Sequence, residues 1–248
     1  MSQGRRATGA AKAPSCLPTP EPRGTIIDVS TPAPHLDLHD LPRRRAGAFA
    51  FVAERLWLDF VNTEDVRRGG SRADALTSFV TFVDWLVDAG VLDGERASTI
   101  RRRAEQQPAG ATAVLLDARR IRDALRQLAE RASVARVRAD ALDEINRILG
   151  RSAGTRRVEV RDDGAFSRSF VPVGDAFAGL LIPVVDSAAD ALVLGELPRV
   201  RCCADPRCTR VFFDNTRNAR RRWCDMAVCG NRAKAARHRL RIARGPAS

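Results

Sequence analysis

Two cysteine pairs of equal internal spacing stand out in this chain. Cys203-Ala-Asp-Pro-Arg-Cys208 and Cys224-Asp-Met-Ala-Val-Cys229 are separated by fifteen residues. Four of the six cysteines therefore fall within 27 residues. Four thiolates brought to one point suit a tetrahedral zinc ion, and a shell closed by four sulfurs leaves no open position for substrate or water. The expectation is one structural Zn2+, held by Cys203, Cys208, Cys224 and Cys229. Cys202 competes with Cys203 for the first place, but the symmetric spacing selects Cys203 and leaves Cys202 as a packed strand residue. Cys16 lies in a proline-rich stretch with no neighbouring thiol and reads as free. Basic residues near the N-terminus are not followed by an apolar run, so the expected compartment is the reducing cytoplasm, where cysteines favour metal over disulfide.

Other polar groups offer less chemistry. Asp59 and Asn62 are three apart on a helical pattern and so lie close together. They read either as a small-ligand site or as a polar pair bonded to backbone or a neighbouring helix; buried polar groups normally find such partners, which favours the second. His35 and His39 have metal-pair spacing, but prolines flank them, so they read as solvated. His238 lies in a basic helix without a catalytic partner. There is no nucleophile elbow, Walker A loop or G-x-G-x-x-G turn, and no enzyme is expected.

The finger sequence resembles a known family. Cys203-x4-Cys208, then Arg-Arg-Trp-Cys224-Asp-Met-Ala-Val-Cys229-Gly230-Asn231-Arg232-Ala-Lys234, is similar to the CGNR zinc finger. In that family the finger follows a larger ABATE domain, whose early signature resembles Leu58-Asp59-Phe60-Val61-Asn62-Thr63. Together the two resemblances cover about residues 46 to 244. They imply a candidate stress-induced transcriptional regulator of bacteria that binds DNA.

The elements that must position these residues can be read from patterning. Residues 1–45 hold seven of the thirteen prolines and no hydrophobic period, so they read as a disordered arm. Residues 46–198 read as a helical domain, with helices over 55–63, 74–89, 97–107, 112–132 and 139–149, a β-hairpin over 156–160 and 166–172, and an apolar helix over 175–194 broken at Pro183. Residues 199–248 read as the finger: strands at 210–213 and 221–223 joined by a turn, then a helix over 228–243, the order of a treble clef. The fold class is thus mainly α, multihelical with a small β-hairpin, plus a C-terminal treble-clef-like zinc finger. Because the link at 195–198 is short, the finger should dock on the domain. No apolar run is long enough to span a membrane.

Charge is unevenly spread. The net charge is +12 with 40 Arg and only 2 Lys, but 14 of the cations and only 3 of the acids lie from Arg199 onward. A basic patch confined to one small module is the footprint of polyanion binding. On the last helix Lys234, Arg237, Arg241 and Arg244 share one face, with Asn231 and His238 beside it, while Ala233, Ala236, Leu240 and Ala243 form the face expected to pack on the finger. Arg220, Arg221 and Arg222 would add phosphate contacts. Asn231 and Arg232 are expected either at nucleic acid or bonded back to steady the zinc shell. The expected partner is double-stranded DNA, with the helical domain sensing a small-molecule effector or forming a homodimer. An RNA- or ribosome-associated zinc protein and a protein-interaction module stay open as alternatives.

Overall fold

The computed structural model describes residues 44–46, 49–66, 72–131, 134–160, 166–173, 177 and 179–244. The expected arm at 1–45 lies outside them except for Arg44 and Arg45, and so do Cys16, His35 and His39. Strand β1 (Arg44–Ala46) pairs antiparallel with β2 (Phe49–Phe51). Helix α1 (Leu56–Val61) follows, and all six of its side chains are buried. A helix buried on every side, with Asp59 its one polar residue, belongs in the middle of a fold. Trp57, Leu58, Phe60 and Val61 are fully enclosed.

A second short hairpin, β3 (Glu64–Val66) with β4 (Arg72–Asp74), leads to α2 (Phe79–Asp88). Its start lies later than periodicity suggests, because Ser78 and Thr81 form a reciprocal capping box there. Phe82 and Trp85 of α2 meet Phe60 edge-on, at 6.3 and 5.1 Å between ring centroids. Such aromatic edges add about 1 kcal/mol each beyond area burial. Helix α3 (Gly94–Gln106) begins at Asp93, whose carboxylate accepts the Arg96 N–H at 2.7 Å. Pro108 ends α3 and opens α4 (Pro108–Arg131), since a first-turn proline has no N–H to lose.

Helices α4 and α5 (Ala135–Arg151) pack together, with Arg147 paired to Asp117 at 2.7 Å across them. The hairpin β5 (Gly154–Val160) with β6 (Phe166–Pro172) matches the expected alternation. Helix α6 (Ile182–Val193) holds Pro183 in its first turn instead of breaking there, for the same reason as α4. Both α4 and α6 pack on α1, so α1 is the hub of the domain.

The finger departs from the expected order in one respect. Strand β7 (Val200–Cys202) pairs with β8 (Val211–Phe213), Cys202 opposite Val211. Residues 221–223 form no strand, though the Arg222 carbonyl accepts the Ala204 N–H at 2.9 Å. The hairpin therefore encloses the first cysteine pair instead of lying between the two pairs. Its apolar residues explain the choice: Val200, Val211, Phe212 and Phe213 join the main hydrophobic core. A π-turn (Met226–Gly230) then runs into α7 (Asn231–Arg244).

Candidate metal centre and nucleic-acid interface

The four expected ligands converge. The sulfurs of Cys203, Cys208, Cys224 and Cys229 lie within 4.8 Å of one another. Cys208 and Cys229 stand 3.7 and 3.8 Å from Cys224. A tetrahedron with zinc–sulfur bonds of about 2.3 Å has sulfur–sulfur edges of about 3.8 Å, so the cage fits the ion. Cys202 stays in β7, outside this cluster.

The wide spacing of each pair has a local cause. In the first knuckle the buried Asp205 carboxylate accepts the Arg207 N–H at 3.0 Å, and the Cys208 N–H bonds to the Asp205 carbonyl at 2.9 Å. In the second, Asp225 caps the π-turn by accepting the Ala227 N–H at 2.8 Å. The Asp225 carbonyl receives both the Cys229 and the Gly230 N–H. That wider turn carries Cys229 around to face Cys224. Gly230 leaves room for the Met226 thioether, which would lie 2.2 Å from an added Cβ.

The electrostatics call for a cation. Hydrogen bonds from Cys208 and Cys224 pull the Cys203 thiol far down, to about 2. Burial, then the charges of Cys208 and Cys203, push Cys229 up to about 12. Cys224 is raised as well, by its bonds to Cys203 and Cys208. Four adjacent sulfurs cannot all be anions unless a positive ion compensates them. These cysteines hold one structural zinc, which supplies cross-linking; the protein supplies the two turns that pre-form the cage.

Asp59 and Asn62 have structural occupations. The Asp59 carboxylate accepts the Val52 and Ala53 N–H groups at 2.9 and 3.0 Å. Asn62 acts as an extra strand residue: it donates to the Val211 carbonyl at 2.9 Å and accepts the Val211 N–H at 3.0 Å. The segment between β2 and α1 is thus gripped from two sides. The Ala53 carbonyl accepts the Phe213 N–H at 2.9 Å. Arg221 donates to the Val52 carbonyl at 3.1 Å and pairs with Glu54 at 2.8 Å. Glu54 itself has a left-handed backbone, φ 62°, which a side chain other than Gly adopts at a cost. Arg55 pairs with Glu196 at 2.7 Å and covers the Phe213 ring at 3.8 Å. The finger is welded to the domain here, and no feature of the sequence marked Arg221 as the weld.

The basic residues fall into two groups. Arg221 is 8% exposed, and it also bonds to the Trp223 and Phe213 carbonyls. It departs from the phosphate-contact expectation because its donors are already used. Arg232 pairs with the Asp205 carboxylate of the first knuckle at 2.8 Å. That bond raises the guanidinium further above its usual range. Arg220 and Arg222 are exposed, with Arg222 over the Trp223 ring.

On α7, Ala233 and Ala236 are half-buried, but Lys234, Ala235, Arg237, His238, Arg239 and Arg241 are exposed. Leu240 and Ile242 are 60% and 69% exposed, and Ala243 is exposed too. The expected packing face therefore ends at Ala236: the hairpin that should have covered Leu240 pairs elsewhere. The Arg244 side chain lies outside the described residues. Helix α7 leaves the body after its second turn and presents its cations to solvent.

Comparisons with known proteins agree with this arrangement. Residues 54–195 match the ABATE family model, described as "Putative stress-induced transcription regulator". Residues 199–242 match the CGNR zinc finger. None of the curated proteins compared with the chain matches it. Neither matched family is an enzyme family. No helix among the described residues is long and apolar enough to cross a membrane. The chain belongs to the ABATE family, and a CGNR zinc finger, docked on the ABATE domain through Asn62 and Arg221, follows that domain.

Proposed function

We propose that this protein is a cytoplasmic, zinc-containing transcription regulator that binds double-stranded DNA through α7. The observation that carries the reading is the exposure of Lys234, Arg237, Arg239 and Arg241 on a helix whose half-buried residues, Arg232, Ala233 and Ala236, lie in its first two turns. A helix of this diameter fits the major groove of B-DNA. Arg220 and Arg222 lie on the same module and reach the flanking phosphates, as in other DNA readers that position themselves by backbone contacts. The zinc acts at one remove: it fixes the turn from which α7 starts. The helical domain senses an effector or pairs two copies, which would double the small footprint of one helix.

The test is a binding selection from random duplexes at near-physiological salt, with zinc-loaded protein and RNA as competitor. Recovery of duplex DNA in a zinc-dependent way supports the reading. Retention lost to RNA moves the protein to RNA association, and no binding at all makes the finger a protein-docking module.

A further inference from the structure

Resting on that reading, we infer that α7 reads base edges with Asn231, Ala235, His238 and Ile242, and that this stripe selects A·T pairs. The anchored side of the helix is set by Arg232, which pairs with Asp205, and by the half-buried Ala233 and Ala236. The exposed side carries a line of Asn231, Ala235, His238 and Ile242, at successive steps of four, three and four residues, beside the line of Lys234, Arg237 and Arg241. All four are exposed. A helix of 3.6 residues per turn keeps such positions in one line.

This outward line differs in kind from its borders. Lys234, Arg237 and Arg241 run along one flank, and Arg239 stands on the other. Long cations on both flanks suit the two phosphate walls of a groove. Short or neutral side chains between them suit its floor. The lone cationic face expected from residue spacing is therefore one wall of a site, and its floor is the neutral line beside it.

The chemistry of that floor names the bases. The Asn231 amide can donate and accept at once, which matches N6 and N7 of adenine. The Ala235 methyl and the Ile242 side chain match thymine methyl groups. His238 adds one donor or acceptor between them. From Asn231 to Ile242 the helix rises about 16 Å, which spans about five base pairs. The major groove of A-form RNA is too deep and narrow to admit this helix, so the stripe selects DNA over duplex RNA. Charge complementarity with the groove walls argues for the same occupant.

The experiment compares wild type, Asn231→Ala, Ile242→Thr and Arg237→Ala, as full-length zinc-loaded chains, in parallel selections at about 0.15 M salt, with zinc content measured for each. Ile242 is 69% exposed, so that variant keeps the test valid should Asn231→Ala disturb the turn. The expected wild-type motif contains A·T pairs over about five positions. Asn231→Ala should relax one adenine about 10-fold and Ile242→Thr one thymine by less, each at its own position. Arg237→Ala should weaken all sequences alike. A wild-type motif left unchanged by both stripe variants, or one made of G·C pairs, would overturn the stripe while DNA binding stood. Duplex binding without any motif would do the same. Failure of wild type to bind duplex DNA would remove both readings together.

Discussion

Arg221 and Arg237 are sixteen positions apart in one basic module, and the same formal charge does different work at each. Arg221 is enclosed between Glu54, four backbone carbonyls and the Phe212 ring. Arg237 stands on the exposed part of α7. The first holds the finger to the domain; the second is free to meet a polyanion. The contrast teaches that charge counting finds a basic module but not its working surface. A guanidinium has five donors in a fixed fork, and carbonyls at the right places can use nearly all of them. Only the arginines left outside such cages make an electrostatic footprint.

The largest effect should come from the metal, which underlies both regions. Stripping zinc with a chelator, or Cys224→Ser, should remove a stabilisation on the order of 10 kcal/mol from the finger. Hydrogen exchange should then show loss of protection in α7 and both knuckles, with α1 to α6 retained. Protection unchanged in α7 would mean that the cage does not organise the helix.

Next in size is the weld itself. Arg221→Ala breaks a buried ion pair with Glu54, which should lower stability by about 3–5 kcal/mol. Arg237→Ala should change stability by no more than about 0.5 kcal/mol, as an exposed substitution does. Denaturation midpoints for the two variants test the comparison directly, and equal midpoints would break it.

Asn62→Ala should come third. It strands the N–H and carbonyl of Val211 without their side-chain partner, for a loss of about 1–3 kcal/mol. An effector-binding role would instead leave thermal stability nearly unchanged and alter only a ligand response.

The last effect concerns pH. Burial pushes the Asp59 carboxyl from 3.8 up to about 7, against the lowering pull of the Ala53 and Val52 N–H groups and Arg210. The folded state thus holds this proton more tightly than the unfolded chain. The resulting stability is fully present below about pH 4 and is lost as pH rises through about 7. Asp59→Asn keeps an acceptor for Val52 and Ala53 but cannot ionise. Its stability should be flatter across this window than wild type; an identical slope would show that Asp59 does not titrate there.

These residues also show what was legible in the chain. The zinc ligands were legible because thiol chemistry and spacing are local, and equal spacing separated Cys203 from Cys202. The helix centres were legible from their apolar period, whereas their starts followed caps such as Ser78 and first-turn prolines such as Pro183. The partner of β8 was not legible. Val211–Phe213 pairs with β7 because its apolar side chains continue the core around α1, a tertiary reason that local patterning does not carry. That choice also leaves Leu240 uncovered. Asp59 and Asn62 were visible as a pair, but their partners Val52, Ala53 and Val211 are set by how the finger folds back.

The central claim is that exposed cations on α7 bind DNA. Affinity of the zinc-loaded chain for duplex DNA should be measured across a salt series, for wild type and for Arg237→Ala with Arg241→Ala. If α7 lies along the phosphates, the double variant should bind more weakly at every salt concentration. Its slope of log affinity against log salt should be shallower by about 1.8, with zinc content unchanged. An unchanged affinity and slope would place the DNA-contacting surface elsewhere and contradict the account.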